Sequence, residues 1–212
     1  GNNPVKREQH LNIIIEETDR LTQIVNDMLD LSKLESGAQK LDYSTFDIAQ
    51  CMAEIVHRYE GVSERMGYQI HLTLDEPCMV RCDESKIDRV IGNLINNAIN
   101  YTSKEDKQVF VTQRNLPQCV RIEVRDTGDG IEEDKIKLIF DKYYRSENHK
   151  REVVGTGLGL SIVKEILKMH NYNYGVNSKL GEGSTFWFEI RDIVPPEKPE
   201  DEEIPDAEIR QL

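Results

Sequence analysis

The sequence predicts an α+β protein that has a largely antiparallel sheet and begins with one long helix. Apolar residues recur at heptad-like spacing between positions 6 and 36, which is typical of a bundle helix. Beyond them, helical patterns mix with short strand patterns that pair across turns, without the strand–helix–strand alternation of a parallel sheet. The 212 residues, 38% of them hydrophobic, suffice for one ordinary core with an additional element and exclude wholesale disorder.

The long helix is predicted over residues 6–36. Its apolar seam steps by three and four residues through Leu11, Ile14, Thr18, Leu21, Val25 and Met28. Ile24, Leu31 and Leu34 widen the stripe beyond a two-stranded seam, which indicates one helix of a bundle. Gly37 is the stop signal. Because the sequence contains no second heptad helix, we expect the partner surface to come from another chain or from residues outside this sequence.

The other elements are predicted from local patterns and their boundary residues. Asp83 can cap the helix that follows it, whose apolar residues share one face. Pro117 marks a turn between two strand patterns. In order, we predict a helix over 47–66, strands over 69–74 and 78–82, a helix over 83–101, strands over 107–114 and 119–125, a short helix over 132–139, a polar loop over 146–154, a helix over 157–170, and closing strands over 172–178 and 184–191.

Charge and hydropathy argue against several classes of protein. The net charge of −12 argues against a binder of duplex nucleic acid, which needs a basic face. No run of about 18 apolar residues and no secretory pattern is present, so we expect a cytoplasmic chain whose parent protein can still be membrane-anchored. The four cysteines lack a zinc spacing and are expected to be reduced thiols. Residues 192–212 hold eight Asp or Glu and four of the seven prolines, and we predict a flexible tail there.

Three glycine clusters are the strongest chemical signals. They lie at 126–131 after an apolar strand, at 155–160 at the start of a helix, and at 181–185 at the start of the last strand. Glycines let backbone N–H groups approach phosphate oxygens, and a helix N-terminus adds a favourable dipole. None is a Walker A loop or a dinucleotide fingerprint. Each cluster alone could equally be an ordinary turn.

A second signal is the run of asparagines in the helix over 83–101. Asn93, Asn96, Asn97 and Asn100 are poor helix formers, because their amides compete for backbone hydrogen bonds. Asn93 and Asn97 lie one turn apart on one face. Their amide oxygens suit a hard cation such as Mg²⁺, which takes its other ligands from water and phosphates. The alternative, a solvated polar face, is weakened by the apolar residues on the same helix.

These motifs together resemble the N, G1, F, G2 and G3 boxes of sensor histidine kinases of two-component systems. The boxes are NLINNA at 93–98, DTGDG at 126–130, FDKYYR at 140–145, GTGLGL at 155–160 and GEGSTF at 181–186. They follow the family's order, and the resemblance extends over about residues 6–191. The long helix, ending in MLDLSKLESG at 28–37, resembles the second helix of the dimerisation and histidine-phosphotransfer domain.

The resemblance implies a Bergerat-type ATP-binding sandwich, a mixed, largely antiparallel sheet covered by helices on one face. It implies a partial dimerisation helix over 1–37, an ATP-binding domain over 38–191 and an acidic tail over 192–212. The implied activity transfers the γ-phosphate of ATP, with Mg²⁺, to a histidine and then to an aspartate of a response regulator receiver domain. The full-length protein is implied to be a homodimer through its bundle helices.

The resemblance also implies roles for individual residues. Asp126 would accept a hydrogen bond from the adenine amino group, Asn97 with Asn93 would ligate Mg²⁺, and Thr185 would support the adenine site. Tyr144 and Arg145 would approach the phosphates, and residues 146–156 would form the ATP lid. The implied nucleotide-binding set is Asn93, Asn97, Tyr101, Asp126, Gly128, Gly130, Ile131, Tyr144, Arg145, Gly155, Thr156, Gly157, Leu158, Gly159, Leu160 and Thr185.

Two departures from the family pattern matter. None of the five histidines lies in the phosphoacceptor context of a His followed by Glu and then Thr-Pro. We therefore expect a chain that starts after the acceptor helix, contains no catalytic residue of its own, and does not autophosphorylate alone. Asn100 stands where many relatives have Lys, so one positive charge near the phosphates is absent.

Two alternatives stay open. A mismatch-repair, topoisomerase or chaperone ATPase of the same superfamily would use a Glu at the position of Asn93 to activate water, and the asparagine argues against this. A nucleotide-binding pseudokinase or interaction module is supported by Asn100 alone.

Overall fold

The computed structural model describes residues 4–102, 107–142 and 156–195. The helices in these ranges are α1 (Pro4–Glu35), α2 (Ile48–His57), α3 (Glu60–Met66), α4 (Glu84–Tyr101) and α5 (Gly159–Met169). The strands are β1 (Ser44–Asp47), β2 (Gln69–Thr73), β3 (Met79–Cys82), β4 (Gln108–Leu116), β5 (Cys119–Asp126), β6 (Asn173–Lys179) and β7 (Gly183–Ile190). None of the described helices is long and apolar enough to cross a membrane.

The main sheet has five strands in the order β2-β4-β5-β7-β6. Strands β2 and β4 are parallel, and every other neighbouring pair is antiparallel. The prediction of a mixed, largely antiparallel sheet is therefore confirmed. Strands β1 and β3 form a separate antiparallel pair.

The two faces of the main sheet differ in burial because side chains alternate along each strand. One face packs against the apolar sides of α2, α4 and α5 and forms the core, with Val111, Val124 and Phe188 fully or nearly fully buried. The opposite face has no helix packed on it in the described ranges. There Arg121 lies over the ring of Trp187, 4.0 Å from its centroid. The sheet is thus covered by helices on one face, as predicted.

Helix α1 presents two different stripes. Leu31 and Leu34 are only 4% and 5% exposed and belong to the core of the domain that follows. The predicted seam lies on another side of the helix and is exposed at all six positions, Leu11, Ile14, Thr18, Leu21, Val25 and Met28. The single broad stripe of the sequence prediction is therefore two surfaces, one docked on the domain and one open.

Two predicted elements differ in the structure, and one strand was not predicted. The helix predicted over 47–66 is two helices that break at Arg58 and Tyr59, where the Tyr59 hydroxyl donates to Gly92 O of α4 (3.2 Å) and anchors the break. The segment 132–139 is not a helix but successive turns with backbone bonds at three-residue spacing. The residue that follows this segment, Phe140, packs edge-on against Tyr174. Strand β1 was not predicted, since its four residues have no apolar alternation of their own.

The beginning of the predicted tail pairs with β3. Arg81 N donates to Asp192 O and Val194 N donates to Met79 O, both at 2.8 Å, and Ile193 bridges Val80. The segment through Val194 therefore belongs to the folded domain, and the predicted boundary at 192 was placed too early. The predicted polar loop over 146–154 and residues 196–212 lie outside the described residues.

Candidate functional site

The site begins with Asp126 at the end of β5. This carboxylate is only 4% exposed and lies on the helix-covered face of the sheet. Its Oδ1 accepts hydrogen bonds from the backbone N–H groups of Gly128 (2.8 Å) and Ser184 (3.2 Å). A buried carboxylate held by backbone donors has a fixed orientation. Asp126 is thus a rigid acceptor group at the end of the central strand, where the first and third glycine clusters meet.

Two glycines allow the chain to close around this carboxylate. A Cβ on Gly128 would lie 2.5 Å from Tyr101 O at the end of α4, so no larger residue fits without moving the backbone. Gly183 has φ of +99°, and a Cβ there would collide with the backbone oxygen of Asp126. The first and third glycine clusters are therefore required for close approach, which rejects the reading of these two as ordinary turns.

The same two clusters are hydrogen-bonded to each other. Ile131 N donates to Ser178 Oγ (2.8 Å), and Ser178 Oγ donates to Gly183 O (3.0 Å). Gly181 N donates to Asp129 O (2.7 Å). The loop after β5 and the β6–β7 turn thus form one structural unit that contains Gly128, Gly130 and Ile131 of the predicted set.

The asparagines of α4 line the neighbouring wall. Asn93, Asn97 and Tyr101 follow at intervals of four residues, are half-buried, and share one side of the helix. Asn93 Nδ2 is buried without a hydrogen-bond partner among the described residues. Because a buried amide is ordinarily satisfied, such a group is suited to a ligand. Asn96, by contrast, is exposed, and so it is not part of this wall.

The second glycine cluster faces this wall from the start of α5. A Cβ on Gly159 would lie 3.5 Å from Asn93 Oδ1, so the first turn of α5 is close to the asparagine side of α4. Leu158, the residue before the helix, is fully buried and offers no side-chain cap to the helix N-terminus. The first N–H groups of α5, in Gly159 and Leu160, are therefore free of a side-chain cap, and the positive end of the helix dipole lies beside the asparagine wall.

One residue of the predicted set, Thr185, lies on the other face of the sheet. Thr185 lies opposite Arg125 of β5, on the sheet face that points away from the helices and from Asp126. The hydroxyl on the Asp126 side belongs to Ser184, which is 6% exposed. The sequence did contain the signal: Phe186, Phe188 and Ile190 alternate inward, and the alternation puts Ser184 on their face.

Of the other predicted residues, some lie outside the residues that the structure describes, and one contacts an unexpected neighbour. Tyr144, Arg145, Gly155 and the lid residues 146–155 lie outside the described residues. Thr156 donates a hydrogen bond to Asp27 on α1 (3.1 Å). Sequence reasoning assigned no residue of α1 to the site, and no local pattern marks Asp27, because the contact joins positions 129 residues apart.

The amide oxygens of Asn93 and Asn97 are the groups that the sequence predicts as cation ligands in this site. The described residues contain no group of three or more His, Cys, Asp or Glu side chains that could hold a metal ion. Two amide oxygens suit a hard cation that takes most of its ligands from water and phosphate. The four cysteines are free thiols, and burial raises the pKa of Cys51 and of Cys82 to about 12, so neither is a reactive thiolate at neutral pH.

Two family models match this chain. The model of the histidine kinase-, DNA gyrase B- and HSP90-like ATPases matches residues 82–193, which is more than half of the chain. It covers the asparagine helix, Asp126 and all three glycine clusters. The model of the His Kinase A (phospho-acceptor) domain matches residues 2–37, which include α1.

Relatives and solved structures agree with these matches. Drug sensory protein A of Synechocystis sp. is 36% identical over 197 residues, which are 88% of this chain and 29% of that protein. The structure of full-length ShkA in complex with AMPPNP has a TM-score of 0.78 at 26% identity, over 90% of this chain and 40% of that one. The structure of histidine kinase ThkA in complex with response regulator protein TrrA has a TM-score of 0.71 at 25% identity, over 91% of this chain and 53% of that one.

This chain spans about 30% of the length of the curated relatives that it matches. The match to both family models and the order of the motifs agree along the whole described domain. The chain belongs to the histidine kinase-, DNA gyrase B- and HSP90-like ATPase family, among its sensor histidine kinases.

Proposed function

We propose that this chain is the ATP-binding catalytic core of a protein-histidine kinase, with its nucleotide site around Asp126. The observation that carries the proposal is the convergence of four separate segments on one place. A buried carboxylate, an asparagine wall with a buried unsatisfied amide, an uncapped helix N-terminus and a tight glycine turn meet there. An acceptor for a base, oxygens for a cation and donors for phosphates are the groups that an ATP site needs.

In this proposal the ends of the site have different tasks. Asp126 accepts the hydrogen bond of the adenine amino group, and Ser184 rather than Thr185 supplies the hydroxyl beside it. Tyr101 lines the pocket between them. The backbone of Gly157, Leu158, Gly159 and Leu160 donates to phosphate oxygens, as does the cationic segment with Tyr144 and Arg145.

Asn97 and Asn93 would hold Mg²⁺. When bound, the ion would neutralise charge on the phosphates during transfer. The support is the pair of amide side chains one turn apart, of which Asn93 lies beside the α5 N-terminus. The protein's own residues then orient the phosphates and exclude water from the core side of the site.

The phosphate acceptor in this proposal is a histidine outside the five in the sequence. His170 is buried and hydrogen-bonded at the end of α5, His71 stacks on Phe110 on the opposite sheet face, and His10 is on α1 far along the helix. A response regulator receiver domain is the proposed next acceptor, and ThkA in complex with TrrA supports that partner class. The exposed seam of α1 supports a homodimer through bundle helices in the whole protein.

The competing functions are less well supported. A hydrolase of the same superfamily needs a water-activating base where this chain has Asn93, and a phospho-acceptor domain match would have no role in it. A pseudokinase is favoured only by Asn100, whose amide adds no charge.

Labelling with ATP that carries radioactive γ-phosphate tests the proposal. The chain alone is expected to stay unlabelled, and a separate helical hairpin that contains an acceptor histidine and covers the α1 seam is expected to take up the label. The label should be labile in acid and stable in base, as phosphohistidine is. Label on any of the five histidines of this chain, or hydrolysis of ATP without transfer, would contradict the proposal.

A further inference from the structure

A chain of hydrogen bonds connects α1 with the second glycine cluster. Asp27 on α1 accepts a hydrogen bond at Oδ2 from Thr156 Oγ1 (3.1 Å). Thr156 Oγ1 in turn accepts one from the backbone N–H of Leu158 (3.2 Å). The Leu158 N–H is one of the donors that the proposed function assigns to phosphate. A carboxylate of the bundle helix therefore acts, through one hydroxyl, on the start of α5.

Arg89 on α4 holds the same carboxylate from the other side. Its Nη2 donates to Asp27 Oδ1 (3.1 Å), and its Nη1 donates to Asp30 Oδ2 (2.6 Å). The Asp27 side chain is only 17% exposed, so water screens this pair less than a surface ion pair. Arg89 precedes Asn93 by one helical turn and lies on the same side of α4. The Asp27 carboxylate thus sits at the end of the asparagine wall.

The remaining contacts fix α1 in this position. Leu31 and Leu34 are buried in the core of the domain, and Lys142 donates to Glu35 at the end of α1 (2.7 Å). Because Asp27 is one turn before Leu31 on the docked stripe, it can leave the glycine cluster only if this part of α1 moves.

We propose that Asp27 is an internal anion that occupies the phosphate end of the site while α1 is docked. An arginine guanidinium, a threonine hydroxyl and an N–H at a helix N-terminus are donors typical of phosphate sites. Here the Asp27 carboxylate accepts from the first two and is connected to the third through Thr156 Oγ1. A bound triphosphate would bring further negative charge to the same donors. Docking of α1 and binding of ATP therefore oppose each other. This inference rests on the proposed ATP site.

The opposition must be reciprocal. If docked α1 lowers the affinity for ATP by some factor, bound ATP weakens the docking of α1 by the same factor. A ligand without phosphates has no such effect, because Asp27 does not compete with the base. Loading with ATP would thus release the bundle helix from the ATP-binding domain, and free Arg89 to face the phosphates.

Calorimetry on the full 212-residue chain tests the inference, with Mg-ATP and adenosine as ligands. Asp27→Ala is expected to bind ATP at least about fivefold more tightly than wild type and adenosine equally well. Asp27→Asn keeps an acceptor for Thr156 and loses the charge, so it should fold and show part of the gain. Asp19→Ala is the matched control, since it removes a charge from an exposed position of the same helix, eight residues before Asp27, and leaves the contacts of Arg89 and Thr156 unchanged. It should change ATP affinity less than twofold.

Hydrogen exchange of the α1 backbone over residues 20–34 gives the reciprocal measurement. ATP should raise exchange there in wild type and adenosine should not, whereas Asp27→Ala should exchange fast without ligand. Unchanged or weaker ATP binding in both Asp27 variants, or an equal gain in Asp19→Ala, would overturn this inference and leave the proposed ATP site standing. A wild-type chain that binds neither ATP nor adenosine would overturn the proposed function and this inference with it.

Discussion

The imidazole of His170 accepts a hydrogen bond at Nε2 from the backbone N–H of Asp83 (3.2 Å), and so the end of α5 is joined to the start of α4. Nδ1 of the same ring bonds Ile166 O (2.9 Å), which makes it the protonated nitrogen of a neutral imidazole. The Asp83 carboxylate also caps α4 through Lys86 N (3.1 Å) and accepts from Asp42 N (3.0 Å) in the segment after α1. The two helices that form the proposed phosphate end are thus fixed relative to each other.

The first prediction is a loss of stability in mild acid. Burial lowers the pKa of His170 below its ordinary value of 6.5, because the folded protein favours the neutral ring. As the pH falls through about 6.5, the unfolded chain binds a proton that the folded chain does not, so the free energy of unfolding decreases. The slope for one proton is at most about 1.4 kcal/mol per pH unit. Well above pH 7 the ring is neutral in both states and the effect is absent.

Urea unfolding at a series of pH values between 5 and 8 measures this slope. His170→Gln should remove this part of the pH dependence, and His71→Gln, a change of an exposed histidine on β2, should leave it in place. If the free energy of unfolding changes equally with pH in wild type and in His170→Gln, His170 is not the source of the pH dependence.

The second prediction concerns recognition of the base. Asp126→Asn keeps an oxygen that can accept from Gly128 N and Ser184 N, so the fold should persist, but its amide can present a donor towards the adenine amino group. We expect a loss of about 2–3 kcal/mol in adenosine binding by calorimetry. Glu123→Gln, on the opposite face of β5, is the control. Binding within twofold of wild type for Asp126→Asn would contradict the adenine site.

The third prediction separates the metal from the nucleotide. Asn97→Ala should remove the gain in ATP affinity that Mg²⁺ provides, roughly tenfold or about 1.4 kcal/mol, and leave metal-free ADP binding almost unchanged. Asn96→Ala, an exposed neighbour on the same helix, should keep the Mg²⁺ gain. Calorimetric titrations with ATP and ADP, with and without Mg²⁺, measure both effects. Equal weakening of both nucleotides would make Asn97 a structural residue.

The fourth prediction follows from the pairing of the segment after β7. A chain that ends at Pro195 should keep the melting temperature of the full chain. A chain that ends at Arg191 should melt several degrees lower, since about 2–4 °C are lost per kcal/mol in a protein of this size. The shorter chain lacks the backbone bonds to β3 and the acceptor of the Tyr172 hydroxyl, which is Asp192 Oδ2 (2.7 Å). Equal melting temperatures for the two truncations would show that this pairing adds no stability.

The fifth prediction compares two leucines of α1. Leu31→Ala should lower the free energy of unfolding by about 2–4 kcal/mol, because the side chain is buried in the core. Leu21→Ala, at a side chain that is 61% exposed, should leave this free energy nearly unchanged and weaken self-association of the chain instead. Chemical unfolding and analytical ultracentrifugation distinguish the two. Similar unfolding losses in both variants would contradict the division of α1 into a docked and an open stripe.

Much of the site was predictable because its chemistry is local. The positions that need a glycine, such as Gly128 and Gly183, are fixed by the turn geometry of a few neighbouring residues. The asparagine spacing on α4 and the apolar faces of α4 and α5 follow from helix periodicity alone. Motif order and these local constraints were therefore sufficient to place Asp126, the asparagine wall and the start of α5 in one site.

The tertiary structure decided which surface each residue meets. The heptad spacing of α1 could not tell that Leu31 docks on the domain while Leu21 stays open, because a period specifies a stripe and not its partner. The pairing of Ile193 with Val80 and the bond between Asp27 and Thr156 join residues more than a hundred positions apart. Such contacts depend on how the whole chain packs, and a local pattern contains no information on them. That is why the sequence determined the chemistry of this site, and only the fold decided that a bundle helix reaches into it.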